Sequence, residues 1–243
     1  MAASLSGIQQ ARAAMLEALR LHEGQTILDA GCGLGECVLA LAEVVGPAGR
    51  AFGIDGSRTM IGKARACGDI RNLPAMFLVG DVSHLPFPDA SFDATRAERL
   101  LVSLADPQRA LHELVRVVKP GGRVVVQDVD NDTVFVDTPF PETTRAIIRA
   151  LTEGESSGTI GRCLPRLFLE QELSDVDVSP FVFTVGYEFF GFAFRGIVAR
   201  AQESGAVSAG NARAWWDYLR EANDGGTFFA GGTVFVVAGT RSA

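Results

Sequence analysis

The segment Thr26–Gly35, which reads Thr-Ile-Leu-Asp-Ala-Gly-Cys-Gly-Leu-Gly, decides the fold. Residues of strand-forming character end in an acid, and three glycines then alternate with small or apolar residues. This pattern predicts a buried strand that turns sharply and enters a helix near Glu36. Glycines let the backbone adopt unusual angles and leave no Cβ between the chain and a ligand. A dinucleotide-binding turn would place its third glycine at position 36, so the spacing disfavours that class.

Two segments further along the chain also place an acid at the end of a predicted strand. Arg50–Asp55 ends twenty residues past the turn, and its final carboxylate can accept hydrogen bonds from both hydroxyls of a ribose. A third strand, Ala75–Gly80, leads to Asp81. Each acid alone could equally cap a turn or a helix. Because ligands of open α/β sheets bind at the carboxyl ends of strands, Asp29, Asp55 and Asp81 together predict an adenosyl-ligand site.

The next segments continue the alternation of strands and helices. A fourth strand, Phe92–Ala97, begins with a Phe-Asp pair, and Asp106 caps a helix that runs to Val118. The turn 119–122, Lys-Pro-Gly-Gly, then enters a fifth strand over Arg123–Asp128.

In this order and spacing, these motifs resemble the class I S-adenosylmethionine-dependent methyltransferases. The similarity is greatest to the small-molecule enzymes related to the ubiquinone and menaquinone C-methyltransferases, and it covers residues 10–130 specifically and the remainder loosely. It implies one Rossmann-like α/β domain whose seven-stranded sheet has the order 3-2-1-4-5-7-6, with an antiparallel last strand and a helical lid. Within residues 1–243, an N-terminal helix (1–25) would precede a cofactor-binding core (26–130) and the lid with the last two strands (131–243).

The resemblance implies S-adenosyl-L-methionine as the cofactor. It implies that Asp81 accepts a hydrogen bond from the adenine amino group and that the backbone amide of Val82 meets the ring. Arg96 or Arg99 would pair with the methionine carboxylate. The expected cofactor-binding residues are Asp29, Gly31, Gly33, Gly35, Asp55, Gly56, Met60, Asp81, Val82, Arg96 and Ala97.

After the fifth strand the alternation becomes less regular. A long sixth strand over Val176–Val185 is expected to break at Pro180. The last strand is predicted over Thr233–Gly239. The predicted helices in this part are Pro141–Glu153, Ile160–Leu173, Phe190–Ser204 and Ser208–Ala222.

Aromatic residues concentrate near the sixth strand and in the helices that follow it. Such stripes usually belong to a core, and the alternative is an apolar pocket for an aromatic or polyketide-like methyl acceptor. The residues are Phe181, Phe183, Phe189, Phe190, Phe192, Phe194, Trp215, Trp216 and Tyr218.

No catalytic residue can be assigned from the sequence. Many relatives have histidines shortly after the fourth strand, where this chain reads Val-Ser-Leu-Ala-Asp over 102–106. His22, His84 and His112 are expected to be solvated or in loops.

A magnesium site is the less favoured alternative for the acids at this end of the sheet. Glu98 with Asp130 and Asn131 resembles the ligands of catechol O-methyltransferases. The rest of the chain does not resemble that branch, so no metal is predicted.

Composition and charge limit the classes of partner and the location that the sequence predicts. The net charge is −7 with no basic cluster, which disfavours nucleic acid. No apolar run is long enough to span a membrane, and Arg12, Glu17 and Arg20 interrupt the N-terminal stretch, so a cytoplasmic location is predicted. The four cysteines, at 32, 37, 67 and 163, are expected to be reduced. The expected protein is a monomer or homodimer acting on a small molecule.

Three functions remain open from the sequence. The first is methyl transfer to an oxygen, nitrogen or carbon atom of a small, hydrophobic or aromatic metabolite, as in secondary metabolism. The second is a non-methylating catalyst, such as a cyclase, or a pseudo-enzyme that keeps the cofactor site. The third, a nicotinamide oxidoreductase, is disfavoured by the glycine spacing.

Overall fold

Seven strands and eight α-helices are present in residues 6–71 and 73–242, which the computed structural model describes. The strands are β1 Thr26–Ala30, β2 Arg50–Asp55, β3 Ala75–Val79, β4 Phe92–Glu98, β5 Val118–Val136, β6 Leu173–Thr184 and β7 Ala230–Arg241. The helices are α1 Ser6–Ala18, α2 Glu36–Val45, α3 Arg58–Arg71, α4 Pro107–Val117, α5 Pro141–Gly154, α6 Ile160–Glu170, α7 Tyr187–Glu203 and α8 Ala209–Asp224.

The strands form one sheet in the order β3-β2-β1-β4-β5-β7-β6. β1 to β5 pair in parallel, while β7 runs antiparallel to both of its neighbours. The predicted single α/β domain, its strand order and its antiparallel last strand are thus confirmed.

Helices cover both faces of the sheet. α1, α2 and α3 bury apolar residues such as Met15, Leu41 and Ile61 on one face, and α4 and α6 bury Leu114 and Phe168 on the other. Such burial contributes about 1.5–3 kcal/mol for each large side chain. The parallel strands are therefore enclosed, and their carboxyl ends form one edge where a ligand can bind.

α5, α7 and α8 form a third cluster, here called the aromatic unit, against the last residues of β5 and the first of β7. Phe190 stacks on Phe194 with ring centres 4.1 Å apart, and the fully buried Trp215 donates from Nε1 to Thr144 Oγ1 at 2.9 Å. These aromatic residues belong to a core, whereas Phe189 and Phe192 are exposed. α6 was expected in the lid, but it packs on the sheet beside α4.

The second half of the sheet differs from the sequence-based bounds. β5 begins at Val118, which pairs with Phe92 of β4, and ends at Val136, which pairs with Ala230 of β7. It therefore includes residues 119–122, which were predicted as a turn, and it crosses residue 130, the predicted boundary of the cofactor core. β6 continues through Pro180 without a break. β6 is an edge strand with one neighbour, and a proline there need not donate to a second strand. α6 ends at Glu170, because β6 already begins at Leu173.

No helix of the described residues has the length and apolar character that a membrane crossing requires.

Candidate functional site

A cavity of about 250 Å³ lies at the carboxyl ends of β1 and β4. It is bounded by α1, the turn after β1, and the first residues of α2 and α3. Five of the predicted cofactor residues line it, namely Asp29, Gly31, Gly33, Met60 and Arg96. The other lining residues are Arg12, Cys32, Leu34, Glu36, Cys37, Glu98 and Arg99.

Two glycines of the turn have different surroundings, although both adopt left-handed backbone angles. A Cβ added at Gly33 (φ 54°) would meet only the sulfur of Met60, at 3.8 Å, so this position opens toward the cavity. A Cβ at Gly35 (φ 78°) would lie 2.5 Å from the Phe77 ring and 2.9 Å from Ala64. Gly33 therefore leaves room for a ligand, while Gly35, also predicted to bind the cofactor, permits α2 to pack closely on β3 and α3.

Asp55 holds the glycine turn in place. Its Oδ2 accepts a hydrogen bond from the Gly33 amide at 2.9 Å, and its Oδ1 accepts one from the Ser57 amide at 2.8 Å. Each carboxylate oxygen keeps a further lone pair. Asp55 does not line the cavity, but its bond to Gly33 places it at the cavity's edge.

Other predicted cofactor residues lie beside the cavity rather than in it. Asp81 is exposed, with Oδ1 accepting from the Ser83 amide at 2.8 Å. Gly56 is exposed as well, whereas the side chains of Val82 and Ala97 are buried in the core. Contacts from these four residues would require a ligand that extends beyond the cavity, so their cofactor roles stay predictions.

A chain of charged side chains crosses the floor of the cavity. Arg12 Nε contacts Glu98 Oε1 at 2.8 Å, and Glu98 Oε2 accepts from Arg96 Nη2 at 2.6 Å. Arg96 Nε lies 3.1 Å from Asp29 Oδ1 but does not have hydrogen-bond geometry toward it. The chain joins α1, β4 and β1. No local sequence pattern indicates the role of Arg12, because 86 positions separate it from Glu98.

Burial gives Asp29 unusual acid–base properties. It raises the pKa of Asp29 to about 6, although the charge of Arg96 acts in the opposite direction. Burial also acts to raise the pKa of Glu98, but the bonds from Arg12 and Arg96 outweigh it and hold that pKa below its ordinary value. Glu98 is therefore a poor general base near neutral pH, and Asp29 is a buried carboxylate that a cation in the cavity would stabilise.

The two carboxylates of the less favoured magnesium site already have arginine partners. Glu98 contacts Arg12 and Arg96, and Asp130 accepts from Arg162, whose Nη2 lies 2.8 Å from Asp130 Oδ1. Within residues 6–71 and 73–242, no three His, Cys, Asp or Glu side chains are grouped as metal ligands. The absence of a metal requirement stays a prediction.

Gln127 is a residue that sequence reasoning missed. It pairs with Glu98 in the register of β4 and β5, and its side chain is fully buried. Neither its amide nitrogen nor its amide oxygen has a hydrogen-bond partner among the described residues. An unpaired buried amide costs about 1–3 kcal/mol. The available signal was a single amide directly after the apolar run Val124–Val126.

Comparison with known proteins identifies the family. A family model described as a methyltransferase domain matches residues 28–126, from β1 to β5. The matched part of the chain is thus a methyltransferase domain of the class I S-adenosylmethionine-dependent type. This match supports S-adenosylmethionine as the cofactor. The residues present fit it, since the buried Asp29 suits its ammonium group and a Cβ at Gly33 would enter the space it needs.

Two relatives and two solved structures illustrate the similarity. The chain is 37% identical over 231 residues to an uncharacterized 37.1 kDa protein in transposon TN4556 of Streptomyces fradiae, covering 93% of this chain and 65% of that protein. It is 34% identical over 121 residues to a demethylmenaquinone methyltransferase of a Geobacillus species, covering 49% of this chain and 52% of that enzyme. Since the chain spans 65% and 52% of these relatives, their activities do not pass directly to it.

Among solved structures, the YcgJ protein of Bacillus subtilis superposes with a TM-score of 0.68 at 18% identity, covering 97% of this chain and 99% of that one. The 4+2 cyclase SpnF superposes with a TM-score of 0.61 at 25% identity, covering 96% and 81%.

Proposed function

We propose that this protein transfers a methyl group from S-adenosylmethionine to an oxygen, nitrogen or carbon atom of a small hydrophobic or aromatic metabolite. The observation that carries the proposal is the cavity at the ends of β1 and β4, where an open glycine position adjoins the buried carboxylate of Asp29. The cytoplasmic location and the monomeric or homodimeric state are part of the same proposal.

The residues take complementary roles toward the cofactor. Asp29 accepts from the ammonium group, the amide of Gly33 approaches the ligand, and Asp55 accepts from the ribose hydroxyls. Asp81 and the amide of Val82 recognise the adenine ring.

Arg99 suits the methionine carboxylate better than Arg96 does. Arg96 is already balanced by Asp29 and Glu98, whereas Arg99 is exposed, lines the cavity and has no carboxylate partner among the described residues. Its guanidinium can bind a carboxylate through two parallel hydrogen bonds.

Positioning would carry most of the catalysis. When bound, the cofactor supplies a methyl group that is already electrophilic because it is attached to a sulfonium. The chain has to hold the acceptor in line with that group and exclude water. No side chain is assigned as a base.

A non-methylating catalyst that keeps the same cofactor site is the alternative. The likeness to the cyclase SpnF favours it, because that similarity extends over nearly the whole chain. The two functions share the cofactor site and differ in whether the methyl group leaves the cofactor.

Transfer of isotope distinguishes the two functions. The protein is incubated with S-adenosylmethionine labelled in its methyl group and a panel of phenols, aromatic carboxylic acids and hydrophobic amines. Methyl transfer gives a labelled organic product and unlabelled S-adenosylhomocysteine, and Gly33→Ala abolishes both. Cofactor binding by calorimetry without any labelled product over the panel would favour the alternative. A chelator should leave turnover within about twofold, since orientation rather than a metal supplies the rate.

A further inference from the structure

A second cavity lies at the opposite end of the sheet from the cofactor site. It encloses about 390 Å³ between the end of α1, residues 119–122 near the start of β5 and the ends of β6 and β7 that meet there. Its charged lining residues are Arg20, His22, Asp93, Lys119, Arg123 and Asp175.

Arg123 is a buried cation without a carboxylate partner. It is 7% exposed, and its guanidinium donates to the Ala18 carbonyl at 3.1 Å and to Thr240 Oγ1 at 2.7 Å. Both acceptors are neutral, and no described carboxylate forms an ion pair with it. Burial of an unpaired charge is costly, so the guanidinium has capacity for an anion.

Arg20 brings a second guanidinium to the same cavity. It is exposed, its backbone is left-handed with φ 50°, and it also has no ion-pair partner among the described residues. Burial first and the charge of Arg20 second lower the pKa of Arg123, while Asp175 acts in the opposite direction. Two cations that face one cavity repel each other unless an anion lies between them.

The other charges of the cavity leave a positive excess. Lys119 is neutralised by Asp93 at 2.7 Å, and Asp175 Oδ2 lies 3.4 Å from Thr240 Oγ1. Among the residues that line the cavity, three cations (Arg20, Lys119 and Arg123) thus face two acids, while the charge of Asp177, which is not a lining residue, also acts on Arg123.

We propose that this cavity binds a small oxyanion between Arg20 and Arg123. Guanidinium groups bind carboxylate and phosphate oxygens through paired hydrogen bonds, so both kinds of anion share the required chemistry. The site lies at the amino ends of the strands and is separate from the cofactor cavity. In the purely structural alternative, Arg123 only clamps the end of α1 to β7.

The test is a titration with defined anions at constant ionic strength. Inorganic phosphate, and separately acetate, are added to the full chain in calorimetry, with chloride making up the ionic strength. One of them should bind saturably, and the stronger one identifies the class of oxyanion. Binding should weaken at least about tenfold in Arg20→Gln, because one of two charge-assisted partners is lost. Arg20→Gln leaves both bonds of Arg123 in place, so the fold is kept.

Arg213→Gln is the matched control, since it removes the same charge from the exposed face of α8. It should bind the anion as the unaltered protein does. Absence of saturable binding, or equal weakening in both variants, would overturn the proposal. Affinity for S-adenosylmethionine should be unchanged in Arg20→Gln, so the outcome does not depend on the proposed methyl transfer.

Discussion

The cofactor end of the sheet and the aromatic unit are held together by different kinds of contact. At the cofactor end, the chain of charges from Arg12 to Asp29 lies beside a turn of left-handed glycines. In the aromatic unit, stacked rings around Phe190 and Trp215 fill the space between three helices, with one buried side-chain bond to Thr144.

Contacts at the cofactor end therefore determine which ligand binds, whereas contacts in the aromatic unit determine how the helices pack. Charged groups and backbone amides favour one ligand geometry, because hydrogen bonds depend strongly on distance and angle. Apolar packing tolerates exchange of side chains as long as volume is conserved. We therefore expect changes at those residues of the cofactor end that face the ligand to alter affinity more than stability, and changes in the aromatic unit to do the reverse.

The two glycines of the turn give the largest expected effect. Gly33→Ala should weaken cofactor binding at least about 100-fold, because its Cβ would enter the cavity, at a conformational cost of about 1–2 kcal/mol. Gly35→Ala should instead destabilise the fold by roughly 2–5 kcal/mol, since its Cβ would overlap Phe77 and add left-handed strain. Calorimetry and urea unfolding measure the two effects. Wild-type affinity in Gly33→Ala would show that the cofactor lies elsewhere.

Asp55→Ala should come next, weakening S-adenosylmethionine binding by about 1.5–3 kcal/mol, or roughly 10- to 150-fold. The variant loses a carboxylate that would bond the ribose and that already holds the Gly33 amide. Asp106→Ala is the control, because Asp106 caps α4 by accepting from the Arg109 amide. That change should cost about 1 kcal/mol of stability and no affinity. Unchanged affinity in a folded Asp55→Ala protein would contradict the assignment.

A change of pH should alter cofactor affinity less than the substitutions of Gly33 and Asp55 do. Because the pKa of Asp29 is raised to about 6, this carboxyl is mostly protonated at pH 5 and cannot hold an ammonium group. Affinity should therefore rise about tenfold from pH 5 to pH 7 and then level off. Asp29→Asn should bind weakly with no such dependence. A flat profile in the unaltered protein would exclude Asp29 from cofactor binding.

The same raised pKa values predict how the ligand-free protein responds to pH. Asp29 and Asp128, each with a pKa raised by burial to about 6, hold protons in the folded state that the unfolded chain has released. Their contribution to stability therefore falls as pH rises from about 4 to 6.

Changes in the aromatic unit, unlike those at the cofactor end, should lower stability and have the smallest effect on cofactor binding. Trp215→Phe removes the bond to Thr144 and part of a buried ring system, which should cost about 1–2 kcal/mol of unfolding free energy. Cofactor affinity should stay within about twofold. Trp216→Phe, at a half-buried position without such a bond, should have the milder effect on urea unfolding. A large loss of affinity in Trp215→Phe would show that the two regions are coupled.

Short-range patterns explain why the first half of the fold was predictable. The bounds of β1 and β2 and the start of α2 follow from glycines, caps and apolar runs within a few positions of each other. The predicted bounds of β5 and β6 are too short, since the true lengths of these strands depend on pairing with β7, about a hundred positions after β5 and about fifty to seventy after β6. The break expected at Pro180 ignored its place in an edge strand.

The site was predictable to the same degree. Asp29, Gly33 and Arg96 follow from the strand-end motifs and do line the cavity. Arg12 and Gln127 reach their positions only through packing of α1 and the pairing of β4 with β5, and no local pattern contains that information.

The position of β7 has a consequence for synthesis of the protein. β7 lies between β5 and β6, although its residues 230–241 are made after both. Arg241 follows Val118, the first residue of β5, by 123 positions, which takes roughly 6–25 s at ribosomal rates of about 5–20 residues per second. During that interval β5 has an open edge, and β6, once it has been made, has no neighbouring strand. Open edges promote association with other chains. Protection of the nascent chain by chaperones should therefore matter most before residues 230–241 leave the ribosome.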